Sequence, residues 1–144
     1  MTLLWTLHAE APADDLQVIS EAVLSHVRSQ AFDPDASPLA CLVHEGDTLI
    51  AGGSGRTECQ RLFVHYLWVA EEHRRAGLGS RILQELEAEA ARRGCRDAII
   101  ETLDDSVATL YRQLGYHSIA HVTNYLGPCH RHILLKPHLS HRNA

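Results

Sequence analysis

A chain of 144 residues, 45% hydrophobic and 22% charged, has the size and composition of one globular domain with its own core, expected to run over residues 1–144. Thirteen Lys and Arg stand against 18 Asp and Glu, and the resulting net charge of −5 argues against nucleic acid as the main partner. No run approaches the roughly 18 apolar residues of a membrane span, so no membrane partner is expected. The start, Met1-Thr-Leu-Leu-Trp-Thr-Leu-His8, has neither a basic n-region nor an A-x-A site, which predicts a cytoplasmic protein. Cys41, Cys59, Cys95 and Cys129 are scattered without a CxxC pair and read as free thiols. Lys136 is the only lysine; the remaining cations are arginine, the better fork for phosphate oxygens.

In chain order, Thr2–His8 reads as a first strand. Pro12 and the pair Asp14-Asp15 open a helix with Leu16, Ile19, Val23 and Val27 at helical spacing. Phe32–Pro38 is rich in breakers and reads as a loop. Leu39–Glu45 and Thr48–Arg56 form a hairpin about Gly46-Asp47, with Gly52, Gly53 and Gly55 weakening its second strand and suggesting a bulge. Arg61–Val69 is the central strand. A glycine turn leads to a helix with Leu78, Ile82, Leu86 and Ala90 on one stripe and Gly94 at its end. Ala98-Ile99-Ile100 belongs to the next strand. A short helix follows, N-capped by Asp105 or Ser106 and stopped by Gly115. Tyr116–Val122 and Arg131–Lys136 are expected to pair as a last hairpin, and Pro137–Ala144 to fray. The pattern is α/β or α+β with a mixed sheet.

The chemistry concentrates after the central strand, in Arg74-Arg-Ala-Gly77-Leu-Gly79-Ser80. Strand, glycine turn and helix in that order aim unpaired backbone N–H groups and a positive helix end at one point, which suits phosphate. The stretch lacks the third glycine of a dinucleotide fingerprint and the Gly-Lys-Ser/Thr ending of a nucleotide-triphosphate loop. Further on comes Ser106-Val-Ala-Thr-Leu-Tyr-Arg-Gln-Leu-Gly-Tyr116. Together, Arg74, Gly77 and Gly79, then Leu110, Tyr111, Leu114, Gly115 and Tyr116, resemble the GNAT superfamily of acyl-CoA-dependent N-acyltransferases. The resemblance is best over Arg61–Lys136; the first half matches in the order of its elements.

That resemblance implies a mixed, mostly antiparallel sheet of about six to seven strands flanked by helices, and acetyl-CoA as co-substrate, with no metal. It implies direct transfer of acetyl to an amine, without an acyl-enzyme. Residues Arg74, Arg75, Ala76, Gly77, Leu78, Gly79 and Ser80 would hold the pyrophosphate. The edge of the strand at Leu67, Trp68 and Val69 would pair with the pantetheine arm, and a backbone N–H of Trp68 or Val69 would polarise the thioester carbonyl. By side chain, Leu67 and Trp68 read as core. Ser106, Leu110 and Tyr111 would flank the arm from the short helix. Tyr111 would protonate the departing thiolate, its phenol being neutral at pH 7 (reference pKa about 10); Tyr116 matches a packed aromatic.

An amine substrate arrives charged, so a base must take its proton. His65, two before Leu67 and expected on the same face, Glu101 at the end of the following strand, and an ordered water relayed to backbone or carboxylate are the alternatives. The family's acceptor cleft corresponds to Ala31–Pro38 and Val122–Cys129. Asp33, Asp35 and Glu58 could attract a cationic acceptor, and Asn124–Cys129 would be a lid or a plain turn. Eleven histidines include Cys129-His-Arg-His132 with His121 and His138 nearby; His130 and His132 alternate to one side, but a tetrahedral site needs about four converging ligands, and none is expected. The partners implied are acetyl-CoA, an amine-bearing small molecule or peptide, and a second copy in a homodimer. The contrasting possibility is a non-catalytic acyl-CoA sensor of the same shape, which would have no need of a phenol at Tyr111.

Overall fold

The computed structural model describes residues 1–31 and 36–139. The chain divides into an N-terminal unit, Met1–Pro34, and a C-terminal unit, Asp35–Ala144. In the first, α1 (Ala13–Ser29) forms as its periodicity predicts. Pro12 supplies extended backbone (φ −54°, ψ 135°), and its carbonyl accepts the Leu16 N–H at 3.2 Å. Asp14 and Asp15 lie in the first turn and His26 and Arg28 in the last, the signs the helix dipole favours. Thr2–His8 is not a strand, contrary to the sequence expectation. Alternating apolar residues prepare a strand, but only a ladder partner makes one.

The C-terminal unit is a six-stranded sheet in the order β1-β2-β3-β4-β6-β5. Its strands are β1 (Ser37–Glu45), β2 (Thr48–Glu58), β3 (Arg61–Val69), β4 (Asp97–Thr102), β5 (His117–Leu126) and β6 (Cys129–Lys136). Only β3 and β4 run parallel, because α2 (Leu78–Arg92) carries the chain back between them. The remaining neighbours are antiparallel. α2 packs on β1–β3 and α3 (Asp105–Gln113) on β4–β6. Ile82, Leu83, Leu86 and Ala90 of α2 and Ala108 and Tyr111 of α3 join Leu62, Val64, Ile100 and Leu134 of the sheet in one buried cluster. Gly53 permits the close seat of α2: a Cβ there would stand 2.9 Å from Ile82 Cγ2. No described helix is long and apolar enough to cross a membrane.

One irregularity shapes the middle of the sheet. Ser54 pairs with Tyr66 and Gly55 with Val64, so His65 is an extra residue on β3. The expected bulge therefore exists, with its inserted residue on the facing strand. Before it, Leu62 and Val64 are buried; after it, Leu67 and Val69 pack against the core while Tyr66 and Trp68 are exposed. Two sequence expectations fail for this reason. His65 does not share a face with Leu67, because the insertion breaks the period of two, and Trp68 is half-exposed instead of core. The tail is also better held than expected: Leu139 packs against the core and its N–H donates to Arg96 O at 2.9 Å. Residues 140–144 lie outside the described residues.

Gly55 is the residue that permits the bulge, since a Cβ there would stand 2.0 Å from the Phe63 carbonyl oxygen. A backbone atom cannot step aside as a side chain would. Gly55→Ala is expected to lower the unfolding free energy by roughly 3 kcal/mol, measured by urea denaturation; an unchanged midpoint would show that the strands accommodate the methyl group.

Candidate functional site

The site begins where β3 and β4 part. Their pairing runs from Arg61↔Asp97 to Val64↔Ile100 and stops. Arg61 grips Asp97 at the closed end, Nε to Oδ1 at 2.8 Å and Nη2 to Oδ2 at 2.9 Å. Beyond Val64, β3 keeps β2 on one side and, among the described residues, pairs with no strand on the other. Ala70 N–H donates to Ile50 O toward β2, so by strand alternation the backbone groups of Leu67 and Val69 point into the opening. The Val69 carbonyl there accepts Arg74 Nε at 3.0 Å.

The chain then passes through a 3-10 turn (Glu71–His73), with Arg75 and Gly77 both at positive φ (67° and 78°), and enters α2. Gly77 is the N-cap, so no side chain covers the first N–H groups, and no acidic residue stands in the first turn. α3 begins the other way. Its N-cap is Asp104, one residue before the position expected; all of Asp104-Asp105-Ser106 are capping types, and backbone dihedrals decide among them. Asp104 Oδ1 accepts from Ser106 N (2.8 Å), Val107 N (3.2 Å) and Ser106 Oγ (2.6 Å). These bonds, Ser106's hydroxyl first, hold the Asp104 carboxyl below its ordinary range. Two helix starts thus reach the opening, one neutralised by a carboxylate and one, α2, left positive.

Between them lies a cleft of about 570 Å³. Leu67, Trp68, Val69, Arg74, Arg75, Gly77, Leu78, Gly79 and Ser80 line one side and Ser106, Leu110 and Tyr111 the other. Every cofactor-binding residue expected from sequence is there except Ala76. His73, Asp104 and Val107 also line it. The cap chemistry of Asp104 is visible in sequence; His73 carries no signal beyond lying between the strand and the arginines. Tyr111 is 4% exposed, and burial pushes its phenol up to about 12. Its ring lies 6.0 Å from that of Tyr116. Tyr116 is occupied elsewhere: its hydroxyl donates to Glu87 Oε2 at 2.9 Å, and burial together with that carboxylate raises its pKa far above that of a free phenol.

His65 and Glu101 are not in this cleft. They line a second cavity of about 460 Å³ with Arg56, Phe63, Val64, Tyr66, Ile99 and Ile100. Arg56 stacks on Phe63 (4.0 Å from the ring centre), donates Nε to Glu58 at 2.9 Å and sets Nη1 against His65 Nε2. Burial, then the Arg56 charge, lowers the His65 pKa. Glu101 Oε2 accepts from Arg131 Nε at 3.0 Å and from Nη2. Asp33 and Asp35 lie outside the described residues. The segment Asn124–Cys129 is the end of β5, a turn at Gly127-Pro128 and the start of β6. His121, His130 and His132 do cluster, with the His130 ring centre 5.4 Å and the His132 ring centre 4.9 Å from that of His121. Two of them are engaged: His132 Nε2 lies 2.6 Å from Asp105 Oδ1, and His130 Nδ1 accepts Asn124 N–H at 3.1 Å. Among the described residues no group of three or more His, Cys, Asp or Glu is placed to hold a metal ion.

Residues 4–116 match the family model of the acetyltransferase (GNAT) family. Blasticidin-S acetyltransferase of Streptomyces morookaense is 37% identical over 89 residues, 60% of this chain and 65% of that protein's length. Acetyltransferase Atu2258 of Agrobacterium fabrum is 28% identical over 110 residues, 76% of this chain and 80% of that one. The fold recurs in a crystal structure from Agrobacterium tumefaciens at TM-score 0.85 and 23% identity, covering 94% of this chain and 99% of the other. It recurs in aminoglycoside 6'-N-acetyltransferase complexed with coenzyme A at TM-score 0.60 and 20% identity, covering 74% and 76%. With the fold, the parted strands and the family match in agreement, the chain belongs to the GNAT acetyltransferase family.

Proposed function

We propose that the chain is an acetyl-CoA-dependent N-acetyltransferase that moves acetyl directly to a primary amine. The observation that carries this is the single cleft joining the uncapped start of α2, with Arg74 and Arg75, to the buried phenol of Tyr111 across the open edge of β3. A helix end contributes about 0.3–1 kcal/mol toward an exposed anion. Pyrophosphate therefore needs the amides of residues 77–80 and the arginines together. Arg74 already braces the turn through Nε, which leaves its Nη donors to reach phosphate. The fold is shared with a protein crystallised with coenzyme A.

From that anchor the pantetheine arm would run along the edge of β3 left open by β4. Strand alternation favours Val69 over Trp68 as the N–H donor to the thioester oxygen, because the Trp68 backbone faces β2. The amine nitrogen forms its bond to the carbonyl carbon, the C–S bond breaks, and the thiolate is met by the Tyr111 hydroxyl. A phenol raised to about 12 keeps its proton at neutral pH and serves chiefly as a donor to the developing thiolate. His65 and Glu101 remain candidate bases: His65 would have to release Arg56 to accept a proton at Nε2, whereas both bonds from Arg131 fall on Glu101 Oε2 and leave Oε1 to accept one. An ordered water relayed to backbone or a carboxylate is the third route. The relative named for blasticidin S and the neighbour named for aminoglycosides make amine-bearing antibiotics the first acceptors to try. A cytoplasmic homodimer is the matching form.

Calorimetry is expected to show acetyl-CoA binding, and thiol release with blasticidin S, an aminoglycoside or a polyamine to show transfer. No binding would overturn the proposal; binding without release to any amine would favour a sensor. Tyr111→Phe is expected to keep the cofactor Kd and lower kcat by about 10–10³-fold. Since the phenol loses its proton only as pH rises toward about 12, Tyr111 should add no falling limb to the kcat profile below pH ~10.

The two glycines of the turn should separate. Gly77 sits at φ 78°, and a methyl added there would meet nothing within 4 Å, so Gly77→Ala is opposed by backbone conformation alone. That opposition amounts to about 1–2 kcal/mol, and the variant is expected to weaken cofactor binding. Gly79 lies inside α2, where an added methyl would have Val69 Cγ2 at 3.8 Å. Gly79→Ala should raise stability by about 0.5–1 kcal/mol and leave the calorimetric Kd near wild type, since the backbone N–H is kept and the methyl group meets only an ordinary contact. A large loss of affinity in Gly79→Ala would place the phosphate directly against that Cα.

A further inference from the structure

α3 carries Tyr111 yet is only nine residues long. An isolated helix of that length is marginal in water, so its tertiary anchors decide where the phenol points. β6 provides them. His132, Leu134 and Lys136 are alternate residues of one strand and therefore share a face. His132 and Leu134 are 6% and 0% exposed, and α3 packs against this strand. At one end, His132 Nε2 meets Asp105 Oδ1, the first residue of α3, at 2.6 Å. At the other, Lys136 Nζ donates to Glu87 Oε1 at 2.7 Å while Tyr116, just past α3, donates to Glu87 Oε2 at 2.9 Å. Leu134 fills the middle. The lengths agree: five strand residues reach about 13 Å, and nine helical residues about 13 Å.

The two ends differ in what they attach. The Glu87 end ties α2, β6 and the exit of α3 together and is core construction. The His132 end is one bond between a buried imidazole and a largely exposed carboxylate. Such a pair adds little to stability. Its value is directional. His132 is held between β4, through its register with Thr102, and β5, through His121, so its nitrogen is a fixed point for the start of α3. Asp104 satisfies the N–H groups of α3 but is itself on the chain leading into that helix; it caps without tethering.

We infer that His132 is a positioning residue for acetyl transfer, which holds the start of α3 through Asp105 and so sets the Tyr111 hydroxyl against the acyl sulfur. The inference rests on the role proposed above for Tyr111. It also accounts for a buried histidine in a cluster without metal-site geometry: the imidazole serves as a hydrogen-bonding strut.

The test is a double-mutant cycle on kcat, using whichever amine in the panel turns over fastest, with acetyl-CoA Kd measured in parallel. Asp105→Ala and His132→Ala are each expected to lower kcat by about 10–10²-fold, the scale of a misplacement near 1 Å, with Kd within about two-fold of wild type by the same separation of binding from chemistry. Asp105→Asn, whose amide oxygen still accepts from the ring, should retain most of the rate. In a Tyr111→Phe background the further loss from Asp105→Ala should nearly vanish, because the two act as one unit. Asp105 is exposed, so its variants fold even if His132→Ala does not. Equal losses in both backgrounds, or no loss in Asp105→Ala, would overturn the inference while leaving the acetyltransferase proposal intact. If Tyr111→Phe itself keeps full kcat, the acid role fails first. Should no amine turn over, amide exchange over 105–113 decides: faster exchange in Asp105→Ala but not Asp105→Asn supports the strut, and unchanged exchange overturns it.

Discussion

Everything at the site follows from the early parting of two parallel strands. Had β4 continued beside β3 past Val64, the edge groups of Leu67 and Val69 would be consumed by a ladder and no cleft would exist. Three local features enforce the parting. The Arg61–Asp97 fork closes the near end. His65 is inserted immediately after the last shared pair, which increases local twist and carries β3 away. Gly55 lets β2 follow that bend, with its Cα against a carbonyl where no side chain fits. A polar edge in the middle of a sheet is normally a liability. Here it lies inside a cleft, where a ligand rich in amide groups can satisfy it.

The electrostatics of the cleft are set just as locally. The chain is acidic overall, so a polyanionic ligand must be attracted by a few nearby groups. Two helices start at the cleft, and the side chain at each N-cap determines its sign. Asp104 neutralises the start of α3, the helix that carries the Tyr111 phenol. Gly77 leaves the start of α2 bare, with two arginines beside it.

Much of this is legible in the amino-acid sequence, and the reason is physical. β3 runs from Arg61 to Val69 as its apolar run predicts, and α2 ends beside Gly94 at φ 88° as a glycine stop predicts. Such features depend on local backbone energetics, which spacing encodes. The failures are of another kind. The insertion of His65 depends on which residues oppose it across β2, and Trp68 reads as buried only while that register is unknown. Thr2–His8 has strand chemistry, yet it forms no strand. Asp104 escapes a reading by residue type because three adjacent residues could each cap, and only dihedral angles choose among them.

The same division separates the two halves of the site. The proposed phosphate end is built from backbone N–H groups, glycine dihedrals and a short arginine run within one strand-turn-helix unit, which spacing displays, although Ala76 falls outside the cleft and His73 lines it without a sequence signal. The candidate bases sit among side chains far apart in the chain: Arg56 against His65, Arg131 on Glu101, Arg131 again over Tyr125 at 5.1 Å. Arg56 takes up the lone pair of His65 Nε2, and Arg131 takes up one of the two oxygens of Glu101. Spacing carries no trace of such pairings. A general base inferred from residue type alone is therefore the least transferable part of a functional assignment in this fold, and the proton path has to be judged from which acceptors the arginines leave available.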